Sequence, residues 1–326
     1  MNRPPVNRRT LLAGAGAAAL LPAMPALAQT YPSRQLRFIV PFLAGSATDA
    51  LARIVGEHAA RTLGQPVVVE NMAGASGVIA AQAVARAEPD GLTVLITTNT
   101  THGANQSLLK RVPYDAVNGF EAVTKLGTIT LALIANPSVP AKTVRELVAY
   151  AKANPGKLTF GAGSSSSRVA GEMLKSLAGL DLRYVPYRSN PQAITDLIGG
   201  QIDLVFADIS TTLPQVRGGK ATGLAVSTAK RSVLAPDLPT MGEAGVAGYD
   251  LAAWFGAFVP AKTAAPVVAK LREALVAAVN DKAVQERLLA AGIEPETSTS
   301  EELKSFVAAE IKKWADIVKT AGIEPE

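Results

Sequence analysis

Short continuous apolar runs alternate along this chain with longer stretches in which apolar positions recur every three or four residues, the patterns of buried strands and of amphipathic helices. Leu36-Arg37-Phe38-Ile39-Val40, closed by Pro41, predicts a strand. Thr48 to Leu63 predicts a helix, with Leu51, Ile54, Val55 and Ala59 on one face and Gly64 as its stop. Val67-Val68-Val69 is the next strand, Ser76 to Ala87 an Ala-rich helix ended by Pro89-Asp90-Gly91, and Leu92 to Thr97 a third strand. This order predicts a parallel sheet with right-handed crossovers.

A second set of units begins near residue 131. Strands are expected at Leu131–Ile134, Leu158–Phe160, Leu182–Val185, Ile202–Phe206 and Leu224–Val226, with helices at Val144–Ala153, Arg168–Leu177 and Pro191–Ile198. A Pro/Gly-rich connection, Pro236 to Gly248, leads out to a strand at Leu251–Val259. The last part is helical. Pro266 suits a first helical turn, and Thr299 with Glu302 fits a capping box ahead of a helix burying Leu303, Phe306, Val307, Ile311, Trp314 and Val318. The hexapeptide Ala-Gly-Ile-Glu-Pro-Glu occurs at 291–296 and again at 321–326. It reads as two helix ends, with Gly292 and Gly322 in the left-handed conformation and Pro beyond.

The N-terminus breaks this alternation. Arg8 and Arg9 precede a run of Leu, Ala and Gly from Leu11 to Ala23, and Ala26-Leu27-Ala28 offers a small-x-small cleavage site. The run is about half the ~20 residues that span a bilayer, so residues 1–28 are expected to be a cleaved export signal to the periplasm. Arg8-Arg9-Thr10-Leu11-Leu12 also has twin-arginine character, and the route stays open. Removing Arg3, Arg8 and Arg9 lowers the formal charge from +5 to +2, so the basicity belongs largely to the signal and no nucleic-acid partner is expected. With no cysteine, disulfides, thiolate catalysis and Cys-ligated metal are excluded. A chain of nearly 300 residues can instead rely on its core, and that length suggests two domains.

Two strand-to-helix loops stand out as candidate chemistry. Pro41-Phe42-Leu43-Ala44-Gly45-Ser46-Ala47-Thr48-Asp49 and Gly161-Ala162-Gly163-Ser164-Ser165-Ser166-Ser167 are small and polar. In a parallel sheet both lie at the carboxyl ends of strands, where ligands bind. Each presents backbone N–H groups and the positive end of a helix dipole to an anion. One such loop per domain, facing across a cleft, would suit a dicarboxylate. Neither contains the Gly-Lys-Ser/Thr of a nucleotide-binding loop. A third polar stretch, Thr98-Asn99-Thr100-Thr101-His102, follows the strand at 92–97 and makes His102 a candidate ligand contact.

Catalysis is the weaker expectation. There is no Gly-x-Ser-x-Gly elbow. The two histidines, His58 and His102, make a transition-metal site improbable without cysteines. Arg188 and Asp208 each follow a strand of the second unit and are expected at the cleft edge. Arg188 could hold a second carboxylate by two parallel hydrogen bonds. Asp208 would repel that carboxylate unless it pairs with Arg188 or faces a ligand ammonium or hydroxyl. A dicarboxylate, aliphatic or aromatic, is therefore favoured, with an amino acid as its close rival.

Several segments, in order, resemble one family, the Bug (TctC-like) solute-binding receptors of tripartite tricarboxylate transporters. They include Tyr31-Pro32-Ser33-Arg34, Ile39-Val40-Pro41-Phe42 with Ala44-Gly45 and Asp49, Gly64-Gln65-Pro66-Val67-Val68-Val69-Glu70-Asn71 and Pro89-Asp90-Gly91. Val112-Pro113-Tyr114-Asp115, Val185-Pro186-Tyr187, Leu197 to Asp203, and Leu238-Pro239-Thr240 with Glu243-Ala244-Gly245 complete the set. The resemblance implies a type II-like periplasmic binding protein of two α/β domains, each a mainly parallel sheet flanked by helices, with two crossing segments. Domain 1 would be 29–130 plus 250–326 and domain 2 would be 131–249. It implies a receptor, not an enzyme, without cofactor, acting as a monomer and delivering a small organic acid to membrane permease subunits. A sensor subunit for the same solutes, or a periplasmic hydrolase, is the alternative. The resemblance implies contacts from the loops at 42–49 and 163–167; with the residues read above from their positions, the candidate site comprises Phe42, Ala44, Gly45, Ser46, Thr48 and Asp49 from the first loop and Thr98, Asn99 and His102 from the third stretch. Gly163, Ser164, Ser165, Ser166, Ser167, Tyr187, Arg188 and Asp208 come from the second domain. Gly45-Ser46 departs from the family's usual Gly-Gly.

Overall fold

The computed structural model describes residues 31–187, 189–320 and 322–325; residues 1–28, expected to be an export signal, and Arg188 lie outside them. The first half runs β1 (Leu36–Val40), α1 (Ala47–Leu63), β2 (Val67–Asn71), a 3-10 turn at Ala75–Gly77, α2 (Val78–Ala85), β3 (Thr93–Thr98), a π-type turn at Thr100–Ala104 and α3 (Asn105–Leu108). After the long β4 (Phe120–Ala135) come α4 (Val144–Ala153), β5 (Thr159–Ala162), α5 (Ser165–Ala178), β6 (Arg183–Pro186), α6 (Asn190–Ile198), β7 (Leu204–Asp208), α7 (Ile209–Arg217) and β8 (Thr222–Val226). The chain returns through β9 (Ala252–Pro260), α8 (Ala265–Asn280), α9 (Lys282–Ala290), β10 (Glu294–Pro295) and α10 (Ser300–Thr320).

The strands form two lobes around β4. In the first, β2, β1 and β3 are parallel neighbours, and β3 is followed by antiparallel β9 and then β4. In the second, β6, β5 and β7 are parallel, with β4 antiparallel to both β7 and β8. This is the two-lobed α/β arrangement that the alternating pattern predicts, but the sheets are mixed and not mainly parallel: each joins three parallel strands to antiparallel ones, because β4 and β9 enter as crossing segments. β1 buries four of its five residues, as a strand covered on both faces must.

β4 changes partners in the middle. Thr130 is its last residue opposite β9, and Leu131 is its first opposite β7, where it faces Asp208. The sequence pattern shows only the second half as a strand, because the first half, Phe120 to Lys125, mixes Glu, Thr and Lys with its apolar positions. The return crossing lies beside it. Ser227 joins both strands: its N–H donates to Leu131 O (2.8 Å) and its Oγ to Leu251 O (2.6 Å), while Leu251 N donates back to Ser227 O (2.8 Å).

α7 and the short α3 are helices the pattern does not predict; Pro214 lies inside α7, and interior Pro normally argues against a helix. The predicted capping box at α10 is present: Glu302 N–H donates to Thr299 Oγ1 (3.1 Å) and Thr299 N–H to Glu302 Oε2 (2.7 Å). Gly292 and Gly322 both take positive φ, 77° and 61°. Among the described residues no helix is long and apolar enough to cross a membrane.

Candidate functional site

An open cleft of about 210 Å³ lies between the lobes. Phe42, Ser46, Ala47 and Thr48 bring the start of α1 to it; Thr98, Asn99 and Thr100 come from the end of β3. Across the gap stand Ser164, Ser166, Asn190 and Asp208 of the second lobe, and Ile129, Ala253 and Phe255 of the crossing strands form the floor.

The two walls share one device. Ser46 caps α1 by accepting from Asp49 N, and Ser164 caps α5 by accepting from Ser167 N, each at 3.2 Å. These caps satisfy the third N–H of each helix. Ala47 and Thr48 on one side, and Ser165 and Ser166 on the other, are left without intrahelical acceptors. Two helix starts with unmet donors and aligned dipoles therefore meet at one cleft, an arrangement suited to anionic groups. Asn99 Nδ2 donates to Ser166 Oγ (3.3 Å), a hydrogen bond that bridges the lobes.

How each wall is held differs. The loop at 42–49 is fastened from below by Asp49, which is buried. Its Oδ2 accepts from Gly45 N (2.9 Å) and Arg53 Nε (3.1 Å), and its Oδ1 accepts from Asn71 Nδ2 (3.0 Å), which also reaches Phe42 O (3.0 Å). Burial alone would raise the Asp49 pKa; the bonds from Arg53, Gly45 and Asn71 outweigh it and hold the carboxyl below its ordinary value. The second wall is held by close backbone packing. Gly163 N donates to Asn190 Oδ1 (2.9 Å), and Asn190 Nδ2 donates to Ser164 Oγ (3.3 Å). A Cβ on Gly163 would stand 2.0 Å from the Ser189 carbonyl carbon.

Of the residues singled out in the sequence, Phe42, Ser46, Thr48, Thr98, Asn99, Ser164, Ser166 and Asp208 meet at the cleft. The others stand elsewhere. Ala44 and Gly45 are exposed beyond the lining, and the Gly45 N–H is already engaged by Asp49, so it is a turn residue at φ 83° and not an anion donor. Asp49 and Gly163 hold the walls from behind. Ser165 lies in the first turn of α5 without lining the cleft. Ser167 is buried and donates to Phe206 O. Tyr187 turns away, its hydroxyl donating to Asp196 Oδ2 (2.9 Å), with its pKa pushed up to about 12 chiefly by desolvation.

His102 is corrected most clearly. A polar loop was expected to expose it; the π-type turn at Thr100–Ala104 instead carries the ring inside. It is fully buried, stacked on Phe258 at 4.0 Å between centroids, with Nδ1 2.9 Å from Thr101 Oγ1. Desolvation lowers its pKa to about 3, so it is a neutral core residue beneath the cleft. Conversely, sequence reasoning did not select Asn190, although Ser189-Asn190-Pro191 is a strand-to-helix junction of the same kind as the other two. Ile129, Ala253 and Phe255 carry no chemical signal; only the crossing of β4 and β9 brings them to the floor.

Asp208 ends β7 and faces the cleft. Its carboxylate makes no hydrogen bond or ion pair with any described residue. It keeps some contact with the confined cleft, yet the surrounding protein desolvates it and raises its pKa from 3.8 to about 6.

Comparison with known proteins agrees with this geometry. Residues 51–323 match the family described as the tripartite tricarboxylate transporter family receptor. Protein BugT of Bordetella pertussis (strain Tohama I) is 33% identical over 92% of this chain and 93% of its own length. Among solved structures, the periplasmic binding protein BugD is 35% identical with a TM-score of 0.79, covering 91% of this chain and 100% of that one. Rpa4515 of R. palustris, solved with adipate, is 32% identical with a TM-score of 0.82 at the same coverage. The chain belongs to the Bug (TctC-like) family of solute-binding receptors, and it is a binding protein, not an enzyme.

Proposed function

We propose that this chain is an extracytoplasmic receptor that closes over a small organic carboxylate and delivers it to the membrane subunits of a tripartite tricarboxylate-type transporter. The observation that carries the reading is the pair of serine-capped helix starts, α1 and α5, facing one cleft with unmet N–H donors from opposite lobes. A carboxylate between them would be bound by both lobes at once, which favours the closed arrangement. The Asn99–Ser166 bond supports closure at that point. The change of partners in β4 and the four-way bonding of Ser227 support a hinge there, between 29–130 plus 250–326 on one side and 131–249 on the other. Adipate in Rpa4515 supports a carboxylic acid as the ligand class. The preference for a dicarboxylate drawn from Arg188 rests on a residue outside the described ones.

Thermal unfolding against a panel of carboxylates tests the reading. A ligand at 100 times its Kd adds about 2.7 kcal/mol, a clear rise in Tm. No shift with any carboxylate would remove the carboxylate as the ligand class. Uptake of the identified ligand by cells with and without the gene then tests delivery, and uptake unaffected by its loss would point to a partner other than a transporter.

A further inference from the structure

The cleft has one formal charge among its described lining residues, and that charge is negative. Helix starts at Ser46 and Ser164 supply donors, and Thr48, Thr98 and Thr100 are hydroxyls; Asp208 alone is an acid. No Lys or Arg among the described lining residues offsets it. Half-buried carboxylates that protein desolvates are normally paired, so one with no described partner facing a ligand cavity calls for a partner that arrives with the ligand.

A second acceptor of the same cleft is also unmet. Asn99 is 1% exposed. Its Nδ2 is used on Ser166, while its Oδ1 has no partner. Buried polar atoms without partners are uncommon enough to need a cause. Both are acceptors on residues that line the cleft, so an N–H donor on the ligand suits this side of the cleft, whereas a carboxylate does not.

On the receptor reading above, we propose that Asp208, with Asn99, recognises an ammonium group, so that the ligand is an amino-carboxylate whose acid end lies at the helix starts. A simple dicarboxylate would set its second anion against an unpaired aspartate. An amino acid instead brings positive charge to Asp208 and leaves its carboxylate for the donors. Phe42, Ile129 and Phe255 line the same cleft and leave apolar surface for a side chain.

The test compares pairs of acids that differ only in the ammonium group. Glutamate with glutarate, aspartate with succinate, alanine with propanoate, and phenylalanine with 3-phenylpropanoate are titrated calorimetrically into the purified chain at pH 7.5. In the pair that binds, the amino member is expected to bind at least tenfold more tightly, about 1.4 kcal/mol. Asp208→Asn should cut that ratio below about threefold, whereas Ser46→Ala should weaken both members alike. Glutarate, succinate or adipate binding as well as or better than any amino acid would overturn the inference and keep the receptor reading. A ratio unchanged by Asp208→Asn would also overturn it. Absence of binding by every carboxylate would overturn both the inference and the carboxylate as the ligand class. The comparison of pairs on the unaltered chain needs no variant, so misfolding of Asp208→Asn does not remove the test.

Discussion

Asp49 and Asp208 stand on opposite walls of one cleft, and their environments shift them in opposite directions. Asp49 is buried, but Arg53, Asn71 and the Gly45 N–H surround its carboxylate, and its pKa falls. Asp208 has no such partner, and its pKa rises to about 6. The first is a fastening for the loop at 42–49. The second costs stability that folding alone does not return, as expected of a group kept for a ligand. Desolvation by itself therefore does not fix the direction of the shift; what decides is whether the protein supplies the compensating donors.

The largest expected effect tests whether the second wall depends on packing. Gly163→Ala places a methyl against the Ser189 and Asn190 backbone. It should lower stability by about 3 kcal/mol or more, measured by urea unfolding. A loss below 1 kcal/mol would mean that the 189–190 segment yields. Next comes Asp49→Ala, which strands Gly45 N–H, Asn71 and Arg53. It should cost about 2–3 kcal/mol at pH 7 and weaken binding by loosening the loop. The Asp49 contribution exists above its unfolded pKa of 3.8 and is lost as pH falls through the lower folded value, so the difference between variant and parent should narrow as the pH falls below 3.8.

Asp208→Asn should have the opposite sign. Because the folded pKa is raised, the protonated form is favoured, and stability is lost as pH rises from 3.8 through about 6. Removing the charge should therefore stabilise the protein by about 2 kcal/mol at pH 7.5, from roughly 1.4 kcal/mol per shifted unit reduced for residual contact with the cleft. The gain should vanish near pH 4. Equal stabilisation at both pH values would attribute it to packing instead. Gly45→Ala should cost only about 1–2 kcal/mol, for its left-handed φ, since no atom lies within 4 Å of the added Cβ. Smallest are Ser46→Ala and Ser164→Ala, each about 1 kcal/mol for a lost N-cap. Unequal costs would show that the two caps are not equivalent.

Much of this was legible before any tertiary contact. The alternation of apolar runs and helical faces predicts the α/β lobes. Both loops were legible as helix starts because capping is a local affair, although the capping residues, Ser46 and Ser164, stand ahead of the expected first residues Thr48 and Arg168. Thr299 and Glu302 are readable for the same reason. The left-handed glycines at 292 and 322 follow from the chain's own sterics. What sequence could not decide is anything set by distant neighbours. His102 lies in a run of threonines that reads as solvent-facing, yet a π-type turn packs it on Phe258, more than 150 residues away. Ile129, Ala253 and Phe255 are ordinary strand residues until β4 and β9 cross beneath the cleft. Asp49 and Asp208 are the same residue type at comparable strand-to-helix junctions. Arg53 meets Asp49 as its i+4 neighbour on α1, but only folding brings Asn71 to it and leaves Asp208 with no described partner, because Coulomb energy and desolvation depend on distances through space and not on separation along the chain.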